Sequence, residues 1–334
     1  MDSIEMFLAQ EFLGKAAWLW LSFVGIVAVL LAFDLGVLHR NDRVIGIRES
    51  IVLSIGYIAL ALLYGAWVWW YLGANSGMEY LTGFMIEKTL AIDNVFVIAM
   101  IFTYFAIPPV YQYRVLFWGI LGVIVMRAVM IGLGAALITR FDWIMWFFGA
   151  FLLLTGVKML WMVDSKPDLA SNPLIGFLQR RLRVTPELHG SRFFVRAPRD
   201  GSPSAKLVWR ATPLFLALIL VEFVDLIFAV DSVPAIFAIT QDPFVVYTSN
   251  IFAILGLRAL YFALAAIVDR FHYLKYALAL VLIFVGAKIF WAQVYGKVAP
   301  MVSLGVIGAL LGGGIVYSLY RTRKAVTHTT PSGS

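Results

Sequence analysis

The chain has 334 residues, of which 62% are hydrophobic and 13% are charged, and its formal net charge is +7. Soluble domains carry roughly 45–50% apolar and about 25% charged residues, so this chain is too apolar to be one. The composition excludes a cytosolic enzyme, a nucleic-acid-binding domain and a disordered chain, and it predicts an integral membrane protein with basic cytoplasmic loops. Cysteine is absent, which excludes disulfides, cysteine zinc sites and iron–sulfur centres.

Nine apolar stretches are long enough to cross a bilayer as helices, which takes about 20 residues each. They cover residues 17–38, 51–72, 81–105, 113–138, 142–162, 213–238, 246–268, 273–291 and 300–320. The first follows Asp2, Glu5 and Glu11 rather than a basic region, so we interpret it as a retained span and not a cleaved signal. The predicted fold is all-α, a single transmembrane bundle of about nine spans over residues 1–334.

Basic residues are concentrated on one side of these spans. Segment 163–212 carries nine of them, whereas the opposite side offers only Lys15, Arg140 and Lys297. The positive-inside rule therefore places the N-terminus outside and the C-terminus inside, with 321–334 as a cytoplasmic tail. Within the basic loop, residues 177–184 suit either a short interfacial helix or an ordinary linker, and we assign the loop no chemistry.

The two halves of the chain resemble each other, with residues 80–162 as repeat 1 and 213–292 as repeat 2. Arg140–Trp161 aligns without a gap with Arg270–Trp291, and the two segments share Arg, Phe, Leu, Gly, Lys and Trp at matching positions. Upstream, Leu90–Val95 parallels Phe228–Val233. Between these matches, Ile120-Leu-Gly before Arg127 parallels Ile254-Leu-Gly before Arg258. Spans three to five thus match spans six to eight. Because spans three and six run in opposite directions, the repeat is inverted, a plan typical of secondary transporters that bind substrate where the repeats meet.

Eleven charged residues fall within or near the predicted spans. The acids are Asp34, Glu87, Asp93, Glu222, Asp225 and Asp231, and the bases are Lys88, Arg127, Lys158, Arg258 and Lys288. Each ionised group at the bilayer centre costs about 2.5–3.5 kcal/mol, so such a set persists only when it is paired, solvated or functional. We interpret the five bases as accessory counter-charges. Asp34 is either a ligand or a solvated acid at a helix end, and we also treat it as accessory.

The repeat aligns the acids with one another. Asp93 aligns with Asp231, Asn94 with Ser232, and Glu87 with Asp225, while Glu222 lies one turn before Asp225. A spacing of seven residues places Glu87 on the face of Asn94, and Asp225 on the face of Ser232. Asp93 and Asp231 lie about a third of a turn away from these faces, so a local unwinding is needed to turn both carboxylates toward one point. Pro234 predicts such a break in span six, and span three has no equivalent proline.

This cluster offers only oxygen ligands, which suit hard divalent cations such as Mn²⁺, Mg²⁺ and Ca²⁺. The four histidines (His39, His189, His272 and His328) fall in loops or tails, which argues against a dedicated zinc or copper site. The predicted metal site therefore comprises Glu87, Asp93, Asn94, Glu222, Asp225, Asp231 and Ser232. No cofactor is expected.

Three segments resemble the TerC family of membrane proteins, and more closely its Alx-like branch. They are Glu87–Val97, Glu222–Phe237 and Thr248–Tyr261. The resemblance implies a bacterial inner-membrane protein of a family historically linked to tellurium resistance and now associated with Mn²⁺ export, and it places the family's acidic positions on the same seven residues. The choice of manganese comes from this resemblance, as does an association of the Alx-like branch with alkaline pH.

The leading hypothesis is a Mn²⁺ exporter and not an enzyme, with protons as a candidate counter-ion because clustered carboxylates can exchange protons for metal. No Walker motif is present. Two alternatives stay open, namely a membrane scaffold or stress-response protein with structural buried charges, and an intramembrane aspartyl enzyme using Asp93 and Asp231. Beyond the bilayer and the metal ion, the sequence specifies no partner and no oligomeric state.

Overall fold

The computed structural model describes residues 8–36, 46–141, 143–161, 173–198, 207–264, 274–296 and 298–327. Eleven helices and two small hairpins are present in these ranges. The helices are α1 (Ala17–Gly36), α2 (Ile47–Leu72), α3 (Ala74–Tyr104), α4 (Pro109–Arg140), α5 (Ile144–Trp161), α6 (Pro173–Arg181), α7 (Pro213–Phe237), α8 (Pro243–Leu255), α9 (Leu257–Leu264), α10 (Leu274–Tyr295) and α11 (Pro300–Thr327). The strands β1 (Glu11–Phe12) and β2 (Lys15–Ala16) pair antiparallel, as do β3 (Phe194–Pro198) and β4 (Leu207–Ala211).

Proline defines where several helices start. Five of them begin on a proline: α4, α6, α7, α8 and α11. Proline suits this position because its missing N–H would have no partner in the first turn and its φ is already helical. At α8 the preceding Asp242 adds a cap, since its carboxylate accepts a hydrogen bond of 3.0 Å from the Phe244 N–H.

The fold is all-α and polytopic, as predicted. Seven helical segments are long and apolar enough to cross a membrane: α2, α4, α5, α7, α8 with α9, α10 and α11. Their outer faces expose large apolar side chains such as Leu63 and Val316, each 68% exposed, which suits contact with lipid rather than water. The first predicted span corresponds to α1. The third corresponds to α3, which is longer than α1 but carries four charged residues.

Two helices are longer than a bilayer requires. α3 has 31 residues and α4 has 32, which at about 1.5 Å per residue makes each about 47 Å long. The hydrocarbon core is about 30 Å thick, so a helix of this length that crosses it must tilt or extend beyond it.

The central helices pack in a consistent set of directions. α3 runs parallel to α8, because Gly83 lies against Ser249 and Lys88 against Ala253. α4 runs parallel to α7, where small residues of α4 meet side chains of α7 in the same order along both chains. α3 and α7 are antiparallel, and so are α5 and α10. α8 is the most enclosed helix, since every residue from Phe244 to Leu255 except Tyr247 is buried.

The contact between α5 and α10 is a reciprocal glycine packing. A methyl group built on Gly156 would lie 2.8 Å from the carbonyl oxygen of Ala279 and 3.1 Å from the amide nitrogen of Ile283. A methyl group built on Gly286 would lie 2.9 Å from the carbonyl oxygen of Gly149 and 3.0 Å from the amide nitrogen of Leu153. The two backbones therefore approach each other at both glycines, which only small residues permit.

The basic segment contains folded structure. Its helix, α6, begins and ends earlier than residues 177–184, for which the sequence left open an interfacial helix or a linker, and the β3–β4 hairpin was not predicted. Ile175 of α6 belongs to the apolar cluster formed by the ends of α3, α4 and α7. The described part of this segment therefore covers one end of the bundle and is not an extended linker.

The predicted break in the backbone of span six is wrong. α7 is helical through positions 231 and 234 and ends at Phe237. Pro234 lies in the last turn, where its carbonyl accepts the capping N–H of Ala238 and few helical hydrogen bonds follow it. The interruption falls instead in span seven, at Gly256 between α8 and α9, where a methyl group would lie 2.9 Å from Lys88 Nζ.

Candidate functional site

The candidate site lies where α3, α4, α7 and α8 meet. Because α3 and α7 are antiparallel, Asn94 faces Asp225 and Glu87 faces Ser232. The Asn94 side-chain amide donates a hydrogen bond of 3.2 Å to Asp225 Oδ1, and Ser232 and the Glu87 carboxylate both contact the same Arg127 nitrogen, Nη1. All four side chains are buried. The structure thus brings together four of the seven residues predicted as metal ligands.

Arg127 of α4 lies at the centre of this group. Its Nη1 is 2.8 Å from Glu87 Oε1 and donates to Ser232 Oγ at 2.6 Å. Its Nη2 and Nε approach Asp225 Oδ1 and Oδ2 at 3.3 and 3.4 Å. Arg127 and Glu87 are each 1% exposed. The accessory counter-charge predicted from the sequence is therefore a direct partner of both aligned acids.

Asn250 of α8 is a site residue that sequence reasoning missed. Its side-chain amide donates to Glu87 Oε2 at 3.2 Å, and it is fully buried. The available signal was the polar run Thr248-Ser249-Asn250 inside an otherwise apolar span. Thr248 and Ser249 bond to carbonyls of their own helix, so Asn250 is the member of the run that reaches α3.

Two amide oxygens at the site have no hydrogen-bond partner among the described residues. They are Oδ1 of Asn94 and Oδ1 of Asn250, and each belongs to a side chain whose amide nitrogen already donates to a carboxylate. Turning either amide over would place its oxygen against a carboxylate, so the assigned orientation is the favourable one. Buried polar atoms of this kind need a partner such as water or an ion.

Glu222 is close to the group and half-buried. Its carboxylate packs on Gly122 of α4, where a methyl group would lie 2.7 Å from Glu222 Oε2. That oxygen is buried, and within the described part of the chain it has no hydrogen-bond partner. Glu222 is one turn before Asp225 on α7, so it extends the acidic surface along the same helix.

Three predicted acids lie in helices, but their side chains fall outside the described residues. Positions 93 and 231 lie in α3 and α7, and position 34 lies near the end of α1. The site prediction for Asp93, Asp231 and Asp34 therefore stays a prediction. Among the side chains that are described, no group of three or more His, Cys, Asp or Glu residues has the arrangement of a metal site.

The other predicted accessory bases are dispersed. Lys88 Nζ donates to the carbonyl of Ala253 at 3.2 Å. The Arg258 guanidinium lies over the ring of Tyr113, 4.4 Å from its centroid. Lys288 is buried at a cavity, whereas Lys158 is exposed on α5. None of these four basic side chains has a described contact with Glu87 or Asp225.

Cavities lie at the two ends of the bundle. The larger, of about 560 Å³, lies between the ends of α7 and α10 and the starts of α3 and α11; the polar residues that line it are Asn75, Glu79, Thr240, Gln241, Lys288 and Gln293. The smaller, of about 470 Å³, lies at the opposite end between α3, α7 and the basic segment, and its lining includes Tyr104, Gln179 and Thr185. The charged group lies between these ends.

Comparison with known proteins identifies the family. The sequence profile described as the integral membrane protein TerC family matches residues 72–326. The chain belongs to the TerC family. The matched range includes α3, α4, α7 and α8, so every described residue of the candidate site falls within the part that defines this TerC protein. No solved structure matches the chain.

Several bacterial TerC relatives are similar over almost their whole length. An uncharacterized membrane protein of Myxococcus xanthus is 46% identical over 309 residues, which are 92% of this chain and 94% of the relative. A membrane protein of Rickettsia bellii is 47% identical over 90% of this chain and 97% of its own. Alx of Escherichia coli strain K12, named provisionally as a membrane-bound redox modulator, is 46% identical over 88% of this chain and 91% of its own.

Proposed function

We propose that this protein is a transporter, and not an enzyme, that exports a divalent cation, with Mn²⁺ as the substrate. The observation that carries the proposal is the meeting of Glu87 and Asp225 beside the two unpartnered amide oxygens of Asn94 and Asn250. Carboxylate and amide oxygens are the ligands that hard divalent cations prefer. Acids buried in a membrane protein typically mark an ion pathway.

The ligand set that we propose comprises the residues predicted from the sequence other than Glu222, which lies one turn away, with Asn250 added. Asp93 and Asp231 follow Glu87 and Asp225 by six residues on α3 and α7, about a third of a turn away, so the proposal requires a local unwinding of each helix to turn all four toward the same point. The manganese preference rests on the family resemblance. Protons are the proposed counter-ion, because carboxylates that release a metal can take up protons.

An inverted repeat supports transport by alternating access. Packing in the bundle is reciprocal under the alignment of residues 80–162 with 213–292. The contact of Asn94 with Asp225 has its counterpart in Ser232 with Glu87. The contact of Gly156 with Ala279 likewise has its counterpart in Gly286 with Gly149. A pseudo-two-fold axis in the membrane plane accounts for this reciprocity and for the helix directions.

The proposed topology has nine spans, formed by the seven long apolar segments together with α1 and α3. With the N-terminus outside, the basic hairpin segment and the smaller cavity face the cytoplasm, and the larger cavity faces outward. We place the protein in the bacterial inner membrane. Rocking of one repeat against the other would open the charged group to each cavity in turn.

The decisive experiment is Mn²⁺ flux into vesicles that contain the purified protein, with Mg²⁺, Ca²⁺ and Zn²⁺ as competitors. The variants are Asp93→Asn, Asp231→Asn and Asp225→Asn, each of which removes one negative charge at nearly constant volume. We expect saturable flux in the wild type and its loss in all three variants. Asp242→Asn is the matched control, because this acid lies at the start of α8 and pairs with Lys15; it should retain flux.

Flux that survives Asp93→Asn and Asp231→Asn would move the cation site away from these residues. A folded wild type that carries no Mn²⁺ under proton gradients of either sign would refute the exporter. A pH-sensitive dye trapped in the vesicles tests the counter-ion, since proton exchange predicts acidification on the side from which Mn²⁺ leaves.

One observation favours a second function, that of a membrane scaffold or stress-response protein with structural buried charges. Arg127 already pairs with both Glu87 and Asp225, which is what a purely structural ion-pair network requires. The provisional name of the Escherichia coli relative suggests redox modulation, but this chain has no cysteine with which to exchange disulfides. Absence of flux and of Mn²⁺ binding in the folded wild type would favour the scaffold.

A further inference from the structure

The guanidinium of Arg127 occupies the space between Glu87 and Asp225, two of the carboxylates that the proposed function assigns to the cation. All three of its nitrogens are used there, on Glu87, Asp225 and Ser232. A metal ion bound by both carboxylates at about 2.0–2.6 Å needs the same space. Arg127 and the metal therefore exclude each other.

The charges lead to the same exclusion. Glu87, Asp225 and Arg127 together carry one net negative charge when ionised. Without Arg127, two unpaired carboxylates would be buried between helices, which is strongly unfavourable in a membrane protein. A divalent cation balances both carboxylates by itself and makes the guanidinium surplus. For Glu87 and Asp225, either cation alone suffices, and both together would leave a surplus positive charge between these two carboxylates.

Glu222 offers the displaced guanidinium a second anchor. Its carboxylate rests on Gly122 of α4, one helical turn from Asp225, and Oε2 has no hydrogen-bond partner among the residues described. Gly122 precedes Arg127 on α4, and long side chains on a helix lean toward its N-terminal end. A shift of the guanidinium by about one turn, roughly 5 Å, thus carries it from Asp225 toward Glu222.

We propose that Arg127 is a tethered cation that fills the empty site and moves to Glu222 when the metal binds. This inference rests on the proposed function. It gives the empty carrier a charge-compensated site, so that the empty site can turn back across the membrane. Net transport needs this return step, whereas exchange of one metal ion for another across the membrane does not.

The first test compares Arg127→Gln with the wild type in the full-length protein. Mn²⁺ binding is measured by titration calorimetry, and vesicles report both net Mn²⁺ uptake and exchange of external Mn²⁺ for internal Mn²⁺. Loss of the competing guanidinium should tighten Mn²⁺ binding about tenfold, within the usual range of site coupling. Net uptake should be lost while exchange persists. Arg140→Gln, at the end of the same helix, is the matched control and should change none of the three quantities.

Weaker or unchanged Mn²⁺ binding in Arg127→Gln would overturn the proposal, and so would undiminished net uptake or loss of exchange. If this variant is purified only as aggregate, the same measurements are made on Arg127→Lys. One ammonium cannot span both carboxylates as the guanidinium does, so it competes less strongly with the metal. We expect Arg127→Lys to bind Mn²⁺ several-fold more tightly and to keep net uptake. Unchanged affinity in that variant would equally reject a tethered cation.

The role of Glu222 is tested by a double-mutant cycle. Glu222→Gln should weaken Mn²⁺ binding in the wild type, because the displaced guanidinium loses its anchor. In the Arg127→Gln background, the same substitution should have no effect. Equal weakening in both backgrounds would make Glu222 a direct metal ligand and reject its assignment as an anchor.

These outcomes separate the inference from the function on which it rests. If the wild type neither binds nor carries Mn²⁺, the proposed function fails. If the wild type carries Mn²⁺ and Arg127→Gln does so equally well, only the tethered cation fails.

Discussion

The α5–α10 contact and the charged group at α3, α4, α7 and α8 both join the two halves of the chain, but by different physics. At α5–α10 the backbones meet at Gly156 and Gly286, and equivalent residues make equivalent contacts. At the charged group, Asn94 and Ser232 repeat this reciprocity, yet a single arginine serves both acids. The first contact is held by steric fit and the second by charge.

One cation between two equivalent acids has to break the symmetry. Arg127 comes from the first half, and the second half supplies Asn250 to Glu87 rather than a second arginine. Arg258, the arginine of the second half, stacks on the ring of Tyr113. Sequence similarity between the halves therefore predicts the helix packing well. It predicts the contacts of the charged centre, where a transported ion would act, less well.

The largest effect is expected when the charge balance of the centre is broken. Asp225→Leu leaves Glu87 as the described acid that still pairs with the guanidinium, and removing one partner of a buried pair costs about 3–5 kcal/mol of folding stability. Thermal unfolding in detergent, followed by tryptophan fluorescence, measures the loss. Asp225→Asn keeps a hydrogen-bond acceptor and should lose less. A Leu variant as stable as the wild type would show that Glu87 suffices to hold Arg127.

A smaller loss is expected at the residue that breaks the symmetry. Asn250→Ala removes the amide that donates to Glu87 Oε2, and a hydrogen bond to a charged group contributes about 1.5–3 kcal/mol. The same unfolding assay applies. Ser249→Ala is the neighbouring control, because the Ser249 hydroxyl bonds to the carbonyl of Val246 in its own helix. Equal losses in the two variants would argue that Asn250 has no special role at Glu87.

The glycine contact is expected to respond in a reciprocal manner. Gly156→Ala and Gly286→Ala each force a methyl group onto the opposing backbone, and overpacking of this kind costs about 1–3 kcal/mol. Because both press apart the same pair of helices, the double variant should lose less than the sum. Gly132→Ala is the control, since the described structure has open space around it. Losses no greater than the control's would contradict close backbone packing at α5–α10.

The sequence predicts the helices and their packing because apolar length and the internal repeat are strong, local signals. Apolar length predicted the helices, and the gapless match of Arg140–Trp161 with Arg270–Trp291 aligned the glycines that pack at α5–α10. The acids Glu87 and Asp225 were identifiable because a charge inside an apolar span is costly and rare. Their grouping with Asn94 and Ser232 followed from a seven-residue spacing on helices.

The contacts made by long or neutral polar side chains were beyond the sequence. Arg127 was expected to pair with some acid, but only the packing of α4 on α3 and α7 places it between two. Asn250 is uncharged, so its position in an apolar span did not mark it as a site residue in the way that a charge marks Glu87 and Asp225. Pro234 misled because a proline near a helix end disturbs little, whereas Gly256 interrupts span seven where Lys88 approaches.

The smallest effect is expected at an ion pair that matches the charged centre in length but not in burial. Lys15 Nζ lies 2.9 Å from Asp242 Oδ2, nearly the separation of Arg127 from Glu87, yet both side chains are more than 20% exposed. Ion pairs open to solvent contribute about 0–1 kcal/mol, so Lys15→Met should hardly move the unfolding temperature. A loss as large as that of Asp225→Leu would mean that burial is not what distinguishes the two pairs. A null result beside a large effect at Asp225 would assign the stability of the centre to its enclosure between helices, because the Lys15–Asp242 distance of 2.9 Å lies between those of Arg127 to Glu87 and to Asp225, 2.8 and 3.3 Å.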